Sequence, residues 1–140
     1  MPRNRFQKDK GKKTLSIDVP SIHSLKDSGY MVFSFMHFCI TQGSSFREWQ
    51  ENGILHHAVE RIKEYSSKKV SQTDTTYTVY GDFPKKTSFE HPKYIPQDAR
   101  WARIHVDGTH IIVGHVVANT FYVVFLDQDH SFWIVPKKHT

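Results

Sequence analysis

RWARIHVDGTHIIVGHVVANTFYVVFLDQDHSFWIV, residues 100–135, is the stretch whose reading decides the fold class of this chain. Asp107-Gly108 stands between two runs rich in Ile, Val and His, and Asp-Gly readily takes the positive φ of a type I′ hairpin turn. Val117-Ala118-Asn119-Thr120 offers a second turn, because Asn tolerates the left-handed region. Asp127-Gln128-Asp129-His130 offers a third. The spacing predicts three or four antiparallel strands joined as a meander.

Upstream, Tyr30 to Ile40 (YMVFSFMHFCI) is rich in aromatic and β-branched residues and reads as a strand. Met31, Phe33 and Phe35 alternate with Val32, Met36 and Phe38, so both faces are apolar. That pattern predicts an interior strand, with His37 as a satisfied core residue. Ser45 and Glu48 have the spacing of a capping box, in which each side chain satisfies an amide that the helix start leaves free. A first helix is expected from about Phe46 to Glu51, ended by Asn52-Gly53. A second follows from Ile54 to Ser66. There Leu55, Val59 and Ile62 form an apolar stripe flanked by Ala58 and Tyr65, with His56, Glu60, Arg61, Lys63 and Glu64 on the wet side. Thr75 to Tyr80 is a further strand candidate. Gly81 to Pro96, with Pro84, Pro92 and Pro96, reads as a long loop of the kind that is functional or mobile. The order gives an α+β domain: a strand, two helices, then an antiparallel meander, with the helices packed on one face of the sheet.

A length of 140 residues suits one domain, and 38% hydrophobic residues suffice for a core. The expected division is a disordered basic tail over 1–14 and a single domain over 15–140. No apolar run approaches the roughly 20 residues that span a bilayer. The basic N-terminus leads into no apolar segment, so no secretory signal is read there. The single Cys39 excludes an internal disulfide and a multi-thiolate metal site, and it fits a reducing cytoplasm. Charge is uneven: Arg3, Arg5, Lys8, Lys10, Lys12 and Lys13 against Asp9 give residues 1–13 a net +5, equal to the formal charge of the chain. The remaining 13 basic and 13 acidic residues balance. An arm carrying Arg3, Arg5, Lys12 and Lys13 can neutralise phosphates and release counterions; the plainer reading is a solvated tail.

Ten histidines raise the question of a metal. His56 and His57 are neighbours, about 100° apart around a helix, and so are ill placed to share an ion. His56 and Glu60 stand at i, i+4 without an H-E-x-x-H pattern. His110 and His115 have opposite parity on one strand, which argues against a three-histidine site with His105. No metal ligands are therefore assigned. Cys39 sits in an apolar run, where a thiol is normally inert. Without G-x-S-x-G, a phosphate-binding glycine loop or a dinucleotide fingerprint, no cofactor is expected.

What remains is a metal-free set: Arg103 on the first strand of the meander, His130 at its last turn, and Lys85, Lys86, His91, Lys93 and Tyr94 in the long loop. RNA cleavage without a metal needs little more. One group takes the proton of the 2′-hydroxyl, another protonates the leaving 5′-oxygen, and a cation stabilises the phosphorane. Histidine suits either proton transfer because it titrates near neutrality.

Arg103-Ile104-His105, the hairpin, Ile111-Ile112-Val113-Gly114, then Phe121 to Asp127 and His130 resemble the C-terminal half of RelE/ParE-type toxins. Tyr30 to Ser66 resembles their strand–helix–helix opening. The resemblance implies a RelE-like fold and a cytoplasmic mRNA endonuclease (an mRNA interferase) that pairs with an antitoxin protein and acts on RNA or the ribosome. It also implies that Arg103 contacts the scissile phosphate and His130 transfers protons, while Lys85, Lys86, His91 and Lys93 grip RNA; His91 stands with Arg103 and His130 as a candidate catalytic group. The competing readings are a non-catalytic module that binds protein or nucleic acid, and an accessory protein of a mobile element or defence locus.

Overall fold

The computed structural model describes residues 29–134. The basic tail, the lead-in to Lys26 and the last residues of the chain lie outside them. In chain order the elements are β1 (Val32–Ser34), α1 (Phe46–Glu51), α2 (Leu55–Ser66), β2 (Tyr77–Gly81), β3 (Arg100–His105), β4 (Ile111–Val117) and β5 (Thr120–Asp127). They form an α+β fold with one five-stranded sheet of order β1-β5-β4-β3-β2. β1 runs parallel to β5, and every other pair is antiparallel. No helix among the described residues is long and apolar enough to cross a membrane.

The helix signals act as read. The Ser45 hydroxyl accepts from the Glu48 amide, the Glu48 carboxylate accepts from the Ser45 amide, and Asn52 caps the C-terminus of α1. On α2 the buried residues are Ala58 and Tyr65. Val59 instead stands 55% exposed, because α2 crosses the sheet on its Ala58 and Ile62 side.

The meander forms, but its turns use other chemistry than expected. At the first, Gly108 does not take a positive φ. The Asp107 carboxylate shapes the loop by accepting from the amides of Thr109 and His110 at 2.9 and 2.7 Å. Burial pushes that carboxyl up, but those amides and the His110 imidazole pull it down to about 2. At the second turn Ala118 adopts the left-handed conformation, with φ 53°. Asn119 is used differently: its side chain donates to the Tyr30 carbonyl, and its own carbonyl accepts from Val32, tying the hairpin to β1.

β1 corrects the expectation of an interior strand. It is three residues long and lies at the edge of the sheet. The chain leaves the ladder after Ser34, and Phe35 and Phe38 pack on Phe46 of α1. Apolar residues on both sides here reflect a short strand followed by a helix-packing turn.

Both faces of the sheet are covered. The helix side buries Trp49, Ala58 and Tyr65 against Ala102, Ile104, Ile112, Phe121 and Leu126. The opposite side buries Trp101, Val113 and Phe125 under Ile95 and Phe132, with Phe83 and Phe89 packed around them. The long loop is thus the second covering layer, and each of these large side chains contributes roughly 1.5–3 kcal/mol by leaving water.

Candidate active site

Strand alternation sends Trp101, Arg103 and His105 of β3 to the loop-covered face, while Ala102 and Ile104 meet the helices. Arg103 lies half-buried with its guanidinium 5.0 Å from the centre of the Tyr80 ring. Tyr80 in turn packs on Trp133, with ring centres 3.5 Å apart. Arg103 Nη1 lies 3.4 Å from His130 Nε2, and Arg103 Nε is buried without a hydrogen-bond partner among the described residues.

The turn that carries His130 is organised by Asp127, which is 1% exposed. Its carboxylate accepts from the amides of Asp129, Ser131 and Phe132 and from the Ser131 hydroxyl. This collar holds His130 at φ 61°, a conformation that costs an L-residue about 1–2 kcal/mol. His130 Nδ1 is 3.3 Å from the Trp133 carbonyl. A carbonyl only accepts, so Nδ1 carries the proton, and Nε2 is left to accept from the guanidinium. His105 repeats the pattern, with Nδ1 3.3 Å from the Asp107 carbonyl. The two imidazole centres are 5.5 Å apart. Burial lowers the His105 pKa, Arg103 and His130 lower it further, and the Asp107 carbonyl and carboxylate oppose them. The cluster thus sets two imidazoles beside one cation: His105 has Nε2 open, while His130 Nε2 faces the Arg103 guanidinium, which must turn to a substrate phosphate before that nitrogen can exchange a proton.

Arg103 and His130 are thus brought together. His91 does not join them: it packs on Phe83 and Trp101, with Nδ1 2.9 Å from the Pro92 carbonyl. It belongs to a second imidazole group, in which His37 Nδ1 and His115 Nε2 are 3.0 Å apart and both rings stack on Tyr122. Burial, then the charges of His37 and His91, push His115 down to about 4. Cys39 lies in the turn region beyond β1, with its amide bonded to the Val124 carbonyl. Burial pushes its thiol up, but hydrogen bonds with Thr41, Tyr94 and Gln42 outweigh this and lower it.

Lys85 and Lys86 are exposed. They directly precede Thr87 and Ser88, which bond to the Ser131 carbonyl, so the pair is moored beside the His130 turn. Lys93 precedes Tyr94, whose hydroxyl donates to the His37 carbonyl, and so sits with the second group. Arg3, Arg5, Lys12 and Lys13 lie outside the described residues. His105, Tyr80 and Asp127 also belong to this site, beyond the residues that the sequence pattern assigns to it. The R-x-H alternation at 103 and 105 was the available signal for His105. Nothing local marks Tyr80, which is the extra residue within the register shift between Val79 and Gly81.

Comparison with protein-family models, curated proteins and solved structures finds no match to this chain.

Proposed function

We propose that the protein is a metal-independent RNA endonuclease, working as the mRNA-cleaving toxin of a toxin–antitoxin pair in the cytoplasm. The observation that carries this reading is the approach of Arg103 to His130 at 3.4 Å, with the His105 ring beside them. One imidazole accepts the proton of the 2′-hydroxyl as its oxygen attacks phosphorus. The bond from phosphorus to the 5′-oxygen breaks, and the other imidazole, entering protonated, gives its proton to that oxygen. Arg103 stabilises the charge on the phosphorane. The products are a 2′,3′-cyclic phosphate and a 5′-hydroxyl. Lys85 and Lys86 supply sequence-independent contact to the RNA backbone. The order strand, helical pair, antiparallel strands supports a RelE-like domain.

The test is cleavage of end-labelled mRNA, alone and on ribosomes, in the presence of EDTA. Cyclic-phosphate ends, lost in both Arg103→Ala and His130→Ala, support the reading. Cleavage that needs a divalent ion, or that survives both changes, sinks it. A binding module is the second reading, favoured by an apolar hollow of about 290 Å³ lined by Phe35, Phe46, Leu55, Val59 and Ile62. It predicts capture of a protein partner, such as an antitoxin, with no cleavage.

A further inference from the structure

The wet side of α2 carries a cluster that the cleavage reading leaves unused. One ligand atom each from His56, His57 and Glu60 can be chosen so that all three lie within 4.8 Å of one another, and all three residues are exposed. The His56 and His57 ring centres are 3.8 Å apart, and His57 Nδ1 is 3.6 Å from Glu60 Oε1. The divergence expected of neighbours on a helix is overcome by side-chain rotation, which brings both rings to the Glu60 side. Glu60 stands at i+4 from His56 and i+3 from His57, the spacings that place residues on one helical face.

The nearby cations are turned elsewhere. Arg61 and Lys68 both pair with Glu64, at 3.0 and 3.4 Å. The only ion-pair partner recorded for Glu60 among the described residues is His57. Open space adjoins the triplet on two sides. One hollow of about 270 Å³ is bordered by His57, Glu60 and Val106, and another of about 550 Å³ by His56, Val59 and Glu60. Glu60 is common to both.

We propose that His56, His57 and Glu60 form a surface site for a late divalent transition metal of the zinc class. Two imidazole nitrogens and a carboxylate oxygen make a borderline donor set, suited to zinc, nickel or copper and poorly suited to calcium or magnesium. Three protein ligands leave a fourth tetrahedral position for water or for a group supplied by a partner. With metal–nitrogen bonds of about 2.0 Å, tetrahedral ligands stand roughly 3.3 Å apart. Closing from the observed spacing therefore needs only rotamer adjustment of exposed side chains. The site lies on the helix side of the sheet, away from Arg103 and His130, so it stands or falls independently of RNA cleavage.

Calorimetric titration of the full chain with Zn²⁺ alone, supported by Co²⁺ absorption spectra, tests the assignment. The expected result is one saturable site. It should weaken at least about tenfold in His57→Ala and in Glu60→Gln, and it should vanish in the His56→Ala/His57→Ala double variant. Uptake should also fall on acidification, since an imidazole ligates only when deprotonated. Because the three side chains are exposed, circular dichroism of the variants should match the parent. No saturable uptake, or undiminished uptake by the double variant through other histidines, overturns the proposal.

Discussion

Arg103 Nη1 reaches to 3.4 Å from His130 Nε2, joining the first and last parts of the meander across 27 residues of chain. That contact depends on the planar guanidinium, which spans the face of Tyr80 and keeps a donor aimed at the imidazole. Arg103→Lys keeps the charge but loses the fork. Single-turnover RNA cleavage should fall about 10²-fold, with RNA affinity changing much less. Parental rates in the lysine variant would show that charge alone suffices and that the aligned donor is not used.

Asp127 shapes the turn from which His130 projects. Asp127→Ala strands buried amides that now donate to the carboxylate, a loss expected at about 2–4 kcal/mol. Urea denaturation measures it. Asp127→Asn keeps one accepting oxygen and should cost less, yet its cleavage should still drop, because the collar around His130 is incomplete. An asparagine variant with parental stability and rate would remove Asp127 from the site.

His115 gives stability a definite dependence on pH. Its folded pKa of about 4 lies below the ordinary histidine value of about 6.5. The unfolded chain therefore binds this proton more readily than the folded one. The contribution is fully present above about pH 6.5 and is lost as pH falls toward 4, on the order of 3 kcal/mol at most. His37 lies 3.0 Å away and Tyr122 stacks on the ring, and the charges of His37 and His91 act with burial against its protonation. Urea midpoints between pH 7 and 4.5 should decline in the parent and flatten in His115→Phe. An equal slope in both would assign the acid sensitivity to other groups.

Gly114 lies where β4 and β5 approach at a shift in register. A Cβ there would run into the Tyr122 carbonyl oxygen and the Phe121 ring. Since the first obstacle is backbone, Gly114→Ala should cost about 3 kcal/mol. A thermal midpoint within a few degrees of the parent would mean that the two strands can separate at little cost.

Signals that act within a few residues were readable from the chain. The Ser45–Glu48 box, the stop at Asn52-Gly53 and the alternation of β3 depend on neighbours, and the fold uses them as expected. The opposite parity of His110 and His115 likewise follows from local alternation: His110 meets Trp49 on the helix side, and His115 meets Tyr122 on the other. What was hidden depends on distant partners. The edge position of β1 follows from its pairing with β5. His37 touches His115 across 78 residues, and His91 is drawn to Trp101 by the path of a loop that has no periodicity. At the third turn of the meander, Asp127 could have opened another hairpin or served as an internal cap. Its choice rests on Phe132 finding a slot against Trp101 and Phe125, which local pattern does not record.

The parallel seam between β1 and β5 has a kinetic consequence. Tyr30 is joined to Asn119 across 89 residues, so β1 has no place to dock until β5 has been synthesised. Hairpins can close early, but this seam must wait for the slowest search in the fold. During translation the finished sheet, and any activity built on the turn after β5, therefore emerges only once that turn has been made.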